Sequence, residues 1–192
     1  MVTFEPLFPL YLDHCELSGG TITTVPLVST GENWIFDPEE LRKALSSQKV
    51  KLFLLNTPHN PTGKVFNADE LMTITKILEE FPDVVVLSDE VYDFLTFDNR
   101  EHINFATIRE NWGKTISIFS GGKLFNATGW KVGWAIAPEP LIYMGGVIAN
   151  TVFYCFNTPG QVAFANCLDK AREPNYDLDG RSYIENLKFT FE

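Results

Sequence analysis

Basic clusters are missing from this sequence. Its 15 lysines and arginines are scattered among 25 aspartates and glutamates, leaving a net charge of −10 over 192 residues. Phosphate backbones and anionic membrane surfaces are recognised by runs of lysine and arginine, so neither nucleic acid nor membrane is an expected partner. Cysteine is scarce as well. Cys15, Cys155 and Cys167 are odd in number, with no CxxC pair and no histidine at metal-ligand spacing. They read as reduced core thiols of an intracellular protein, without a disulfide framework or a metal. No stretch reaches the roughly eighteen apolar residues of a membrane span. The opening Met-Val-Thr-Phe-Glu-Pro also lacks the basic region and apolar run of a secretory signal. Internal repeats and low-complexity tracts are absent too.

What is present is apolar and aromatic: 45% hydrophobic residues and 14% aromatic ones, enough for one domain core. Nearly continuous apolar runs at 50–55, 84–87 and 115–119 are separated by polar loops and by a periodic segment with Leu71, Ile74, Ile77 and Leu78 on one face. Runs without alternation suit a parallel sheet covered on both faces. Shorter strands are expected at residues 1–4, at 21–27 and at 132–137. Helices are expected from Leu7, from Asp37-Pro38 with aspartate as cap, from Asn67 or Asp69, and over 141–171 with a break at 153–159.

Ligands in such sheets bind beyond the carboxyl ends of the strands. Asn60, Asp89, Tyr92, Ser120 and Lys123 follow the three apolar runs and are therefore expected in one crevice. Lys123, in Ser120-Gly-Gly-Lys123, is placed in a tight turn between two strands. Lysine is the side chain that forms an imine with an aldehyde. Pyridoxal phosphate asks for such a lysine, for a carboxylate against its ring nitrogen, for donors to its ring oxygen, and for a hydroxyl and a cation at its phosphate. Lys123, Asp89, Tyr92 with Asn60, and Ser120 with Lys131 supply that set. Each also has a plainer reading: a surface turn lysine, a helix-capping aspartate, a core tyrosine, an Asn-Pro turn.

Three stretches in order, Asn56-Thr-Pro-His-Asn-Pro-Thr-Gly-Lys-Val-Phe66, Ser88-Asp-Glu-Val-Tyr92 and Ser120-Gly-Gly-Lys-Leu-Phe-Asn-Ala-Thr-Gly-Trp-Lys-Val-Gly-Trp134, resemble the class I/II aminotransferases of fold type I. The likeness is strongest to the kynurenine aminotransferase and cysteine-S-conjugate β-lyase branch, and covers nearly the whole chain. It implies an α/β fold, the three-layer large domain of that fold type with a mostly parallel sheet, truncated at both ends. Residues 1–165 would be the cofactor-binding large domain and 166–192 the start of a linker helix and small domain. The cofactor implied is pyridoxal 5′-phosphate. Lys123 would be the Schiff-base lysine, Asp89 the partner of the pyridine nitrogen, and Asn60 and Tyr92 the holders of the ring oxygen. Ser120 and Lys131 would touch the phosphate and Phe8 the ring face. Asn60 would meet substrate, and Phe153, or Tyr154 beside it, would line a substrate pocket, its own or the neighbouring subunit's.

The reaction implied is transfer of an amino group from a kynurenine-, glutamine- or aromatic-type donor to a 2-oxo acid, in a cytoplasmic or mitochondrial homodimer. Two segments of complete family members have no counterpart here: the glycine-containing helix start that cradles the phosphate, and the arginine that grips the substrate carboxylate. The alternatives are a truncated, non-catalytic product and an enzyme of the same cofactor with other chemistry, such as a sulfur-conjugate β-lyase or an aminocyclopropane-forming enzyme.

Overall fold

The computed structural model describes residues 1–47 and 49–170. Within them run the strands β1 (Val2–Glu5), β2 (Thr23–Pro26), β3 (Val28–Ser29), β4 (Trp34–Ile35), β5 (Leu52–Asn56), β6 (Val85–Asp89), β7 (Thr115–Ser120) and β8 (Gly133–Ile136). The helices are α1 (Leu10–Leu17), α2 (Pro38–Leu45), α3 (Ala68–Glu79), α4 (Gly121–Leu124), α5 (Glu139–Phe153) and α6 (Thr158–Lys170). Among the described residues no helix is long and apolar enough to cross a membrane.

Local chemistry sets the helix starts. The Asp37 carboxylate accepts from the Glu39 N–H at 2.8 Å, and Pro38 opens α2 where its missing N–H costs nothing. Leu41 and Leu45, four apart, are then buried. At α3, Asn67 accepts from the Glu70 N–H at 2.9 Å while the Glu70 carboxylate accepts from the Asn67 N–H at 3.0 Å, a reciprocal cap. Leu71, Ile74, Ile77 and Leu78 are thereby aligned on the buried face, each contributing about 1.5–3 kcal/mol of transfer free energy.

Six strands form one sheet in the order β2-β1-β5-β6-β7-β8, parallel throughout except for β8, which runs antiparallel to β7. The apolar runs of β5 and β6 bury Phe53, Leu55 and Val86 against α2 and α3. There Phe4 meets Phe53 edge-on at 5.7 Å and stacks on Phe66 at 5.4 Å. The opposite face, with Leu54, Leu87 and Ile118, lies in a trough of about 680 Å³ bordered by α1. From β1 the chain first adds β2 on one side and then crosses to β5 on the other, so the direction of strand addition reverses between β1 and β5. Side chains at the carboxyl ends of these strands and their neighbours thus surround a crevice of the kind that takes ligands. Register aligns the ends: Asn56 pairs with Asp89, and Asp89 with Ile118. The domain boundary expected at 165/166 falls inside α6, and residues 171–192 lie outside the described residues.

Candidate active site

Lys123 lies at the rim through a device the sequence pattern did not resolve. It occupies the single-turn helix α4 rather than a tight turn. Ser120 caps that turn, its hydroxyl oxygen accepting from the Lys123 N–H at 3.3 Å. Gly122 is required by space: a Cβ there would stand 2.9 Å from the Thr128 Cα and 3.1 Å from the Ala127 carbonyl oxygen. The Lys123 amine lies over the Tyr92 ring, 5.5 Å from its centroid, and makes no hydrogen bond or ion pair among the described residues.

Asp89 ends β6 on the trough side. Its Oδ1 accepts from the Val91 N–H at 3.3 Å, and its Oδ2 accepts a short hydrogen bond from the Tyr11 hydroxyl of α1. Burial pushes its carboxyl up from the ordinary range. The Tyr11 hydrogen bond, the Val91 N–H and the Lys123 charge pull it back down, while the Glu90 charge adds to the rise. Tyr11 itself is driven up, first by burial and then by the Asp89 charge, so the phenol keeps its proton and serves as donor. Phe8 stands edge-on to Tyr11, ring centroids 5.5 Å apart, at the mouth of the same trough.

Asn60 is fastened by its backbone N–H to the Asn56 Oδ1 at 2.7 Å, and Asn56 in turn donates to the Asp89 carbonyl at 3.0 Å. Asn56 is thus a tie between two strand ends that the sequence reading missed, although an asparagine closing an apolar run was its signal. Behind the rim, Glu90 is fully buried. Its carboxylate accepts from the Ser117 hydroxyl at 3.1 Å and meets His102 Nε2 at 2.7 Å, while the buried His102 Nδ1 and Ser88 hydroxyl have no partner among the described residues. No local pattern announces that group, because its members are 12 and 27 residues apart.

The expected residues border two cavities, and the Lys123 amine is near members of both, over the Tyr92 ring and with its charge felt at Asp89. Phe8 and Asp89 border the 680 Å³ trough, while Asn60 and Tyr92 border a second cavity of about 630 Å³ with Trp34, Lys64 and Arg100. Lys123 and Ser120 line neither of these; Ser120 closes β7 and Lys123 follows in α4. Lys131 is exposed, with a left-handed backbone at φ 54°, following the turn at Thr128–Trp130. Phe153 ends α5 in an exposed position, packed on Phe156 with 6.0 Å between centroids.

This donor set fits pyridoxal phosphate by its chemistry. An amine, a phenol and an amide whose side chains make no hydrogen bond among the described residues stand at the rim beside a carboxylate already oriented by two donors. Comparisons with known proteins point the same way. The family described as aminotransferase class I and II matches residues 1–187. A kynurenine–oxoglutarate transaminase of Dictyostelium discoideum is 37% identical over 99% of this chain and 47% of its own length. N-succinyldiaminopimelate aminotransferase from Mycobacterium tuberculosis superposes with a TM-score of 0.85 at 36% identity, covering 89% of this chain and 44% of that one. A pyridoxal phosphate-bound C-S lyase from Staphylococcus hominis does so at 0.75 and 27% identity, covering 85% and 41%. The chain therefore spans less than half the length of the relatives it matches.

Proposed function

We propose, from the premise that this chain belongs to the class I and II aminotransferases, that its protein uses pyridoxal 5′-phosphate to move an amino group from a kynurenine-, glutamine- or aromatic-type amino acid to a 2-oxo acid. The observation that carries this reading is the Lys123 amine, delivered by a capped turn to the Tyr92 ring beside the Asp89 carboxylate. Bound there, the cofactor supplies an aldehyde to hold the amino acid and a protonated ring that makes the α-proton acidic. Lys123 Nζ is the amine that would hold that aldehyde and the base that would take the proton from the substrate Cα. Asp89 would keep the ring nitrogen protonated, the Tyr92 hydroxyl and the Asn60 amide would donate to the ring oxygen, and Ser120 and Lys131 would hold the phosphate. Phe8 would cover a ring face, and Asn60 would also reach substrate.

In this reading residues 1–165 belong to the large domain and 166–192 to the start of the next. The active form is a cytoplasmic or mitochondrial homodimer, in which Phe153 lines the partner's pocket. Its exposed position on an apolar stretch of α5 supports that assignment. Likeness to C-S lyases supports a second reaction at the same site, β-elimination from sulfur conjugates.

The test is direct. With added pyridoxal phosphate the full-length protein is expected to gain a visible absorbance band and to convert kynurenine and 2-oxoglutarate to transamination products. Lys123→Ala is expected to lose the band and at least about a thousandfold of the turnover. A parent protein without the band overturns the reading, and pyruvate release from a β-chloro amino acid without transamination selects the lyase.

A further inference from the structure

α1 has no buried residue of its own and a weak apolar pattern, so its position on the sheet is not explained by core packing. Among the described residues one α1 side chain hydrogen-bonds to the sheet. The Tyr11 hydroxyl crosses to Asp89 Oδ2, 78 residues away, at the edge of the 680 Å³ trough. Phe8, three residues before Tyr11, stands edge-on to the same ring, and the Tyr11 N–H donates to the Phe8 carbonyl at 3.1 Å. The carboxylate and the aromatic expected against the cofactor are therefore held by one phenol.

We infer that Tyr11 is a positioning residue for the proposed reaction: its hydroxyl fixes the Asp89 carboxylate and makes it a weaker base, so that a proton shared with a pyridine nitrogen stays on the nitrogen. This rests on the reading of the site given above. The physical argument concerns where one proton sits. A carboxylate that accepts hydrogen bonds from Val91 N–H and from a neutral phenol has its charge spread over those donors and a lower affinity for a further proton. Two acceptor positions, one on each oxygen, are taken by the protein. The remaining lone pairs are free to meet a ring N–H, and the carboxylate cannot rotate without breaking the Tyr11 bond. Without the phenol, burial of Asp89 would act with less opposition, the carboxyl would hold the proton more strongly, and the ring nitrogen would lose it. Phe8 would lose its edge-on neighbour's anchor in the same step.

The experiment compares the full-length protein with Tyr11→Phe, which removes only the hydroxyl, using cofactor labelled with ¹⁵N in the ring. In the parent the ring nitrogen is expected to give a protonated-pyridine shift. In Tyr11→Phe the shift moves toward the neutral value, the cofactor dissociates about tenfold more readily, in keeping with one hydrogen bond to a charged group, and kcat falls while the KM for the amino acid changes little. As a second variant, 3-fluorotyrosine installed at position 11 keeps shape and hydroxyl but donates more strongly, and is expected to leave the nitrogen protonated to a higher pH than in the parent. If both variants keep the parent's nitrogen shift and cofactor affinity and differ only in melting temperature, Tyr11 merely fastens α1 and the inference is overturned. If the parent binds no cofactor at all, the site reading itself fails, and the two failures are distinct.

Discussion

At the scale of single residues, burial acts on two titratable side chains near the rim with opposite signs. Asp93, one turn beyond the Asp89 carboxylate, is pushed up to about 6 by burial, with the His102 charge opposing. His59 is lowered to about 4, by burial first and the Lys64 charge second. A carboxyl with a raised folded value contributes stability that is present below its ordinary 3.8 and is lost as pH rises through about 6. An imidazole with a lowered value contributes stability present above its ordinary 6.5 and lost as pH falls through about 4. The two slopes partly cancel between these limits, so the whole protein conceals both. Asp93→Asn removes the first and keeps an oxygen for the Phe94 N–H, now at 3.2 Å. It is expected to raise the melting temperature by about 3 °C at pH 7.5, the effect being reduced by partial exposure, and by almost nothing at pH 4. Thermal scans at the two pH values check it, and an equal gain at both would show that ionisation is not the cause.

At the scale of elements, the pieces written in adjacent residues were legible and those assembled across the chain were not. Asp37-Pro38 announced α2 and Asn67 with Glu70 announced α3, because a cap and the turn it satisfies lie within four residues. β5, β6 and β7 were legible as apolar runs for the same reason. The shape of α4 was hidden, since Ser120-Gly-Gly-Lys123 fits a loose turn equally well. Only the approach of residues 127–128 and of Phe164 reveals what each glycine makes room for. Gly121 faces the Phe164 ring of α6, with carbons 3.1–3.3 Å from an added Cβ, and Gly122 faces backbone that cannot yield. Gly122→Ala is therefore expected to push α4 away from the Thr128–Trp130 turn and to swing Lys123 off the Tyr92 ring. Visible absorbance at saturating pyridoxal phosphate should fall at least about fivefold, whereas circular dichroism should stay close to the parent's, because the strain of about 1–3 kcal/mol is confined to one junction. Parental absorbance in that variant would mean that the turn has room to spare.

At the scale of the whole molecule, the sheet's parallel body followed from the strand runs, but its finer plan did not. The direction of β8 depends on pairing with β7, and the Tyr11–Asp89, Asn56–Asp89 and Glu90–His102–Ser117 links join positions that only the fold brings together. Coverage of the outer surface is another whole-molecule property, and it yields the last prediction. On α5, Tyr143, Met144, Val147, Ile148 and Val152 are all exposed, at spacings that place them along one side of the helix, and Phe153, Tyr154 and Phe156 extend the patch. An apolar stripe of this extent in water favours association, and in the proposed homodimer a second copy covers it. The full-length protein is thus expected to sediment as a dimer. Paired substitutions Val147→Glu and Ile148→Glu, which place two charges in that contact and remove two apolar side chains worth about 1.5–3 kcal/mol each, should weaken it by well over tenfold while leaving the circular dichroism unchanged. Sedimentation at several concentrations reads the difference directly. A parent that is monomeric throughout, or a charged variant that dimerises as tightly, would place the contact on another surface and detach Phe153 from any role in a partner's pocket.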